Sequence, residues 1–194
     1  MKRIKFLFFV VVLVGFAALA HAGFDEGKAA YDRGDYTVAY KEFKPLAEQG
    51  NAKAQGYLGV MYDNGQGMPQ DFVLAHMWAR KAAEQGIAGA QWFMGMMYEY
   101  GNGMPKDHAE ALKWLRKAAE QGVAGGQLFL GMMYYEGDGV PQDFVLAHMW
   151  LNLAAAQGES NAKKLRDLLA KKMTPAQIAE AQRLAREWKP KGKD

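Results

Sequence analysis

The sequence predicts an all-α fold made of small helical units stacked in series. The motif Ala-x-x-Gln-Gly ends at Gly86, Gly122 and Gly158, so it recurs every 36 residues. When the three segments that end there are aligned, fifteen of the 36 positions are identical. A fixed period of this size is typical of helical repeats, because each unit buries its apolar face only against a neighbour. The full repeats are residues 51–86, 87–122 and 123–158.

Each repeat is predicted to contain two helices joined by a loop. The first helices span residues 52–63, 88–99 and 124–135. Each has a glycine near its midpoint, which costs about 1 kcal/mol relative to alanine. The recurrence of this glycine predicts close approach of a neighbouring helix at Gly59, Gly95 and Gly131. The Met-Tyr pairs that follow are predicted core residues: Met61, Tyr62, Met97, Tyr98, Met133 and Tyr134.

A glycine-rich loop with a proline ends each first helix, and an aspartate begins the second. Asp71, Asp107 and Asp143 follow the prolines by two residues, where they are placed to accept the free amide protons of the next helix. In these second helices one tryptophan recurs among alanines at helical spacing, which predicts a packing stripe. The tryptophans are Trp78, Trp114 and Trp150.

The N-terminal end of the repeat array is predicted to be a shortened unit. In residues 23–50, Asp35, Ala39 and Gly50 keep the spacing of the capping aspartate, core alanine and final glycine of a full repeat. Five loop residues are missing between its two helices. Because the first unit of a stack exposes one end, we expect it to serve as the N-terminal cap.

The C-terminal end, residues 159–188, is predicted to form two capping helices. The first covers residues 160–173. Thr174 followed by Gln177 is a capping box with proline at the first helical position, so it predicts the start of the second. A basic tail, residues 189–194, follows.

The first 22 residues predict a secretory signal. A basic opening over residues 1–5 precedes an apolar run over residues 6–20, which is shorter than the roughly 20 residues that a spanning helix needs. Small residues surround the expected cleavage position after Ala22. We therefore expect a periplasmic or secreted protein with no membrane span after cleavage. An uncleaved anchor is the alternative.

The composition excludes several functional classes. The chain has no cysteine, so disulfides and a lipid-modified cysteine are impossible. Without the predicted signal it would carry 21 basic and 21 acidic side chains, which removes the support for general nucleic-acid binding. The charge is uneven, because residues 159–194 carry ten Lys or Arg against five acids. This asymmetry is typical of a solvated cap, although it could also steer a partner.

The repeat sequence resembles that of a known family of helical repeats. The segment AQGYLGVMYDNGQGMPQDFVLAHMWARKAAEQG is similar to the Sel-one-like repeats, relatives of the tetratricopeptide repeats, and two further copies follow it. The resemblance implies antiparallel helix pairs stacked into a right-handed α-solenoid with a concave groove. It also implies a role as an adaptor or scaffold in protein complexes, with no common catalytic activity and no cofactor.

The positions that vary between repeats predict a binding surface. In the first helices they fall at repeat positions 3, 6, 10 and 13, which line one side of a helix. The resemblance places that side in the concave groove. The expected partner is a helix or extended peptide of another exported or envelope protein, bound in this groove. We expect the chain itself to be a monomer. The alternative is that these side chains pack in the core. The predicted contact residues are Val60, Trp92, Met96, Leu128, Met132 and Tyr135, with Glu99 and Tyr100 at the rim.

Two other functions are weaker alternatives. Ser160 and Lys163 fit the S-x-x-K motif of penicillin-recognising enzymes, but the partner motifs are absent, and Ser160 is explained as a helix cap.

No two histidines are three or four residues apart, so a helical metal site is not predicted, and we expect His76 and His148 to be structural. The basic C-terminus could instead hold anionic cell-wall or membrane groups through Arg183, Arg186, Lys189, Lys191 and Lys193.

Overall fold

The computed structural model describes residues 23–191, and within this range the regular structure is entirely helical. The predicted signal segment lies outside the described residues. No helix in the described range is long and apolar enough to cross a bilayer. The helices are α1 (residues 23–32), α2 (Tyr36–Glu48), α3 (Ala52–Asn64), α4 (Phe72–Glu84), α5 (Ala88–Tyr100), α6 (His108–Glu120), α7 (Ala124–Glu136), α8 (Phe144–Ala156), α9 (Ser160–Ala170) and α10 (Pro175–Glu187).

The described residues form two compact units, which divide between Gln85 and Gly86. In the first unit α3 packs against both α2 and α4. In the second unit the pairs α5–α6 and α7–α8 pack internally, α6 packs on α7, and α8 packs on both α9 and α10. Each pair is one repeat, so the prediction of an all-α fold built from paired helices is confirmed.

The loops between paired helices explain the glycines and aspartates that recur in every full repeat. Gly65, which ends α3, has a φ of 65° in the left-handed region, where a side chain would be strained. Asp71 then accepts hydrogen bonds from Val73 N and Leu74 N, both at 2.9 Å. The same αL glycine and capping aspartate recur before α6 and α8, so the predicted caps are confirmed.

The mid-helix glycines allow the paired helices to touch. A Cβ atom built on Gly95 would lie 2.5 Å from Cγ of Leu115, which is closer than real side chains approach. Gly59 would place a Cβ 3.0 Å from the backbone nitrogen of Ala79. Gly95 therefore packs against a side chain and Gly59 against a backbone, and the predicted close approach is confirmed at both points.

The core of each repeat contains the predicted apolar residues. The three repeat tryptophans and the methionines at Met61, Met97 and Met133 are buried. Their tyrosine neighbours, Tyr62, Tyr98 and Tyr134, are only half-buried, so they lie at the edge of the core. In the first unit the hydroxyl of Tyr62 lies 3.0 Å from that of Tyr40. Burial, followed by this hydrogen bond, raises the pKa of Tyr62 to about 12.

A relay of glutamines, in which the acceptor is buried, joins successive helices and was not predicted from the sequence. In the first unit, Gln85 Nε2 donates to Gln55 Oε1 at 2.7 Å, and Gln55 Nε2 donates to the Ala47 carbonyl at 3.0 Å. In the second unit, Gln157 and Gln127 repeat the first contact at 2.8 Å. The glutamine of the Ala-x-x-Gln-Gly motif therefore satisfies a buried amide of its own repeat.

The C-terminal cap differs from its prediction in two details. The N-cap of α9 is Glu159, so Ser160 is the first helical residue rather than the cap. The same helix ends at Ala170, three residues before the predicted end. The capping box of α10 is confirmed, because Thr174 and Gln177 make both reciprocal hydrogen bonds. Its apolar face covers α8, where Trp188 meets Trp150 edge to face.

Candidate functional site

The first helices of the repeats in the second unit, α5 and α7, lie beside each other, and α9 continues the row. We call the surface that they present the α5–α7–α9 face. One solvent-accessible apolar side chain occupies the same repeat position in each helix: Met96, Met132 and Leu168, which are 36 residues apart. Leu168 is 57% exposed. An apolar stripe therefore crosses this face.

Trp92 lies at the α5 end of this face and is half-buried. A Cβ atom built on Gly125 of α7 would lie 2.7 Å from the indole Nε1, so the ring rests on the glycine backbone. The ring also packs against the small core formed by Ala111, Leu115 and Met133. Its N–H is shielded and has no hydrogen-bond partner among the described residues. Trp92 therefore presents only part of its ring to a partner.

The predicted rim residues have different environments. Tyr100 is 60% exposed and contacts the ring of Phe129 edge to face, with centroids 6.5 Å apart. Glu99 is already paired, because one oxygen lies 3.0 Å from Nδ1 of His108 and the other lies 3.5 Å from Nζ of Lys106. Tyr100 thus offers a free aromatic surface, whereas Glu99 is held within the repeat.

Leu128 is buried, which contradicts its prediction as a contact residue of the binding surface. Its side chain is only 8% exposed and belongs to the core cluster that also contains Trp150, Ala162 and Leu169. Position 6 of the third repeat is variable in sequence, yet here it faces the packed interior between α7, α8 and α9. Leu128 therefore stabilises the second unit and is not available as an anchor for a partner.

Met132 and Tyr135 line a small apolar notch between α7, α8 and α9. Its remaining apolar walls are Leu151, Leu165 and Leu168, and Glu136 stands at its edge. The Tyr135 ring stacks on Phe144 with centroids 5.9 Å apart, and its hydroxyl accepts a hydrogen bond from Lys172 Nζ at 2.7 Å. These contacts fix Tyr135 as one rigid wall of the notch.

The C-terminal end of α7 is acidic. Burial is the main cause that raises the pKa of Glu136, followed by repulsion from Asp138. Repulsion from Glu99 raises this pKa slightly further. Neither Glu136 nor Asp138 forms an ion pair with a Lys or Arg in residues 23–191. The edge of the notch on the α7 side therefore carries negative charge that the described chain does not neutralise.

Val60, the one predicted contact residue of the first unit, is half-buried on α3. Three residues later, Asp63 has a carboxylate oxygen shielded from solvent that lacks a hydrogen-bond partner among the described residues. Burial raises the pKa of Asp63. This unit offers an aliphatic side chain beside a partly buried acid at the repeat positions occupied by Met132 and Tyr135 in the third repeat.

The sequence analysis missed Leu165 and Leu168. Residue identity with the repeats is lost after Gly158, so the sequence predicts α9 only as a capping helix. The spacing nevertheless persists, because Leu168 follows Met132 by one period of 36 residues. Extending the repeat frame by one unit would have placed Leu168 on the apolar stripe.

Two cations of the basic C-terminus, Arg183 and Lys191, are engaged within the chain. Lys191 Nζ lies 2.9 Å from a carboxylate oxygen of Glu120, and its backbone N–H donates to the Glu120 carbonyl at 2.7 Å. Arg183 pairs with both Glu180 and Glu187. Lys193 lies outside the described residues. Lys191 therefore ties the end of the described chain to α6, whereas Arg186 and Lys189 are exposed and form no ion pair within residues 23–191.

The residues considered for catalysis are not assembled into a site. His148 is 3% exposed within the core, and its Nδ1 has no hydrogen-bond partner among the described residues. Ser160 and Lys163 are both exposed on the first turn of α9, and no hydrogen bond joins their side chains in the described structure. Residues 23–191 contain no group of three or more His, Asp or Glu side chains that could hold a metal ion.

Paired helices repeated every 36 residues, with a half-exposed apolar stripe on the first helices, define a helical-repeat protein. A family model of the Sel1 repeat matches residues 52–87, 88–123 and 124–159, and the chain belongs to the Sel1 repeat family. Proteins with this fold generally act as scaffolds for protein–protein interaction. A comparison with curated protein sequences gives no match.

Two solved structures are similar to the chain. One is a Sel1 repeat protein from Oxalobacter formigenes, with 37% identity and a TM-score of 0.69 over 73% of this chain. The other is c5321, a protective antigen of uropathogenic Escherichia coli strains with an SLR fold, with 28% identity and a TM-score of 0.62 over 87% of this chain. The match spans 58% of the first protein and 45% of the second.

Proposed function

We propose that the α5–α7–α9 face binds a segment of another polypeptide and that the protein is a non-enzymatic scaffold, acting as a monomer without a cofactor. The observation that carries this proposal is the stripe of Met96, Met132 and Leu168, in which both methionines are half-exposed between buried neighbours and Leu168 is exposed. Methionine and leucine side chains on a preformed surface suit an amphipathic helix or an extended peptide.

The side chains of the α5–α7–α9 face would contribute to the binding free energy in different ways, because some are rigid and others are flexible. Tyr100 supplies exposed aromatic area, and aromatic anchors dominate binding energy at most interfaces. Met96 and Met132 have flexible thioethers that adapt to irregular partner surfaces. Because Tyr135 is held by Phe144 and Lys172, it adds a wall that is ordered before binding, which lowers the entropic cost of association.

We also propose that the protein acts outside the cytoplasm, in the periplasm or beyond it, after cleavage behind Ala22. The support is the sequence pattern of residues 1–22 alone. N-terminal sequencing of the protein recovered from fractionated cells tests this point. A mature chain that starts at Gly23 in the extracytoplasmic fraction is expected. An intact N-terminus in the cytoplasm would contradict it.

Site-specific photo-crosslinking tests the binding face in cells. A photoreactive phenylalanine analogue at position 168 should give a discrete cross-linked product, whereas the same analogue at exposed Lys113 on α6 should not. The product at position 168 should disappear when Met132→Asp is added, because a charge on the stripe opposes apolar contact. Equal products at both positions, or one that survives Met132→Asp, would contradict the proposal.

A further inference from the structure

The notch beside Leu168 has the size and lining of a pocket for one side chain. Its volume is about 70 Å³, several times the roughly 10–15 Å³ that one water molecule requires on the same measure. Met132, Tyr135 and Leu165 give it apolar walls, and exposed Leu168 forms its lip. An aliphatic side chain that entered it would remove apolar surface from water on both partners.

The charges around the notch are arranged asymmetrically. On the α7 side, Glu136 is exposed and Asp138 is its close acidic neighbour, and neither has a cationic partner in the described chain. On the α9 side, Lys172 already donates to the Tyr135 hydroxyl and lies over its ring, 5.0 Å from the centroid. Lys171 is exposed further along the same helix end. The unsatisfied charge at the edge formed by α7 is therefore negative.

We infer that the notch receives one aliphatic side chain of the partner segment and that Glu136 together with Asp138 receives a Lys or Arg beside it. This inference rests on the proposed function and names the chemistry of its partner. A cation there would relieve the repulsion between the two carboxylates, and its attraction would add specificity and association rate more than affinity. The partner is thus a basic amphipathic segment, with an aliphatic anchor within one or two residues of a Lys or Arg.

A random peptide library displayed on phage, selected on the immobilised purified protein, tests this directly. We expect enrichment of Leu, Ile or Met within two residues of Lys or Arg. Parallel selections on Leu168→Asp and Glu136→Gln separate the two halves of the motif. The first variant should lose the aliphatic preference, and the second should keep it while losing the basic preference. Enrichment of acidic or uncharged motifs by the unmodified protein would overturn the inference.

The affinities of a selected peptide give the quantitative test. We expect Leu168→Asp to raise the Kd about tenfold or more, because it places a charge in the apolar contact. Glu136→Gln should raise the Kd by about two- to fivefold at low salt, with little effect at high salt, as for an exposed ion pair. Glu110→Gln on α6, a half-exposed acid that pairs with Lys113, is the control and should leave the Kd unchanged.

The outcomes distinguish this inference from the proposed function. If peptide binding responds to Met96→Ala and Met132→Ala but not to Leu168→Asp or Glu136→Gln, the face binds a partner elsewhere and the inference fails alone. If none of the four variants changes binding, both proposals fail. Thermal unfolding of Leu168→Asp and Glu136→Gln guards against misfolding, because both positions are exposed and should tolerate these changes.

Discussion

The indole of Trp92 rests on the backbone of Gly125, so closely that a Cβ atom at position 125 would lie 2.7 Å from Nε1. Trp92 comes from one repeat and Gly125 from the next, at variable repeat positions of both. The glycine makes room for the ring between α5 and α7. The contact therefore belongs to the packing of the second unit as much as to its binding face.

Gly125→Ala should destabilise the protein by about 1–3 kcal/mol, because the added methyl group must displace a packed ring. Gly89→Ala is the matched control, since Gly89 occupies the same position of the preceding repeat and has no atom within 4 Å of a built Cβ. That change should be neutral or stabilise by up to about 1 kcal/mol through helix propensity. Urea unfolding measures both variants. Equal effects at the two sites would contradict the packing.

The glutamine relay should contribute measurably to stability. Gln127 is fully buried, accepts from Gln157 Nε2 at 2.8 Å and donates to the Ala119 carbonyl at 3.3 Å. Gln127→Leu should cost about 1–3 kcal/mol, because a buried carbonyl loses its donor. A double-mutant cycle with Gln157→Leu should give a coupling energy of about 0.5 kcal/mol or more. Strict additivity of the two substitutions would show that the relay carries no energy of its own.

Stability should fall in mildly acidic solution because of His148. Burial first, and then the charge of Arg166, lower the pKa of His148 in the folded state, against a small opposite effect of Asp167. The unfolded chain then takes up the proton near pH 6.5 while the folded chain resists it. Stability is thus complete above that value and is lost as the pH falls from about 6.5 towards the folded pKa.

The measurement is the urea midpoint at pH 7.5 and pH 5.5 for the unmodified protein and for His148→Met. The methionine variant should show a smaller loss of stability between the two values, because one titrating group has been removed. His76 at the same position of the first repeat is less buried, although its pKa is also lowered by burial, so His76→Met should have the smaller effect. An unchanged pH dependence in His148→Met would refute this assignment.

Substitutions of Leu128 and Tyr100 should have opposite effects: the first should lower the unfolding free energy, and the second should lower partner affinity. Leu128→Ala removes a core side chain and should cost about 2–5 kcal/mol in unfolding free energy. Tyr100→Ala alters an exposed ring, so its stability should change by about 0.5 kcal/mol or less while partner affinity falls. Unfolding and binding measured on the same two samples test the distinction. A large loss of stability in Tyr100→Ala would assign that ring to the core.

The recurring residues of the repeats could be interpreted from sequence because each one meets a local structural requirement. Gly95 must admit Leu115, and Asp107 must cap α6, whatever the rest of the chain does. The exposure of a variable position depends instead on which side chains the next helix presents. Leu128 is buried with residues of α9, whereas Met132, one turn later, stays half-exposed. Leu168 escaped prediction because only spacing, and not residue identity, links α9 to the repeats.

The most direct test of the central claim is a methyl NMR spectrum of the protein labelled at methionine, recorded with and without the polypeptide captured by cross-linking. The methyl groups of Met96 and Met132 should shift on binding, because both lie half-exposed on the α5–α7–α9 face. Those of Met61 and Met97, which are buried, should hold their positions. Binding that leaves Met96 and Met132 unmoved would contradict the assignment of this face as the site of partner recognition.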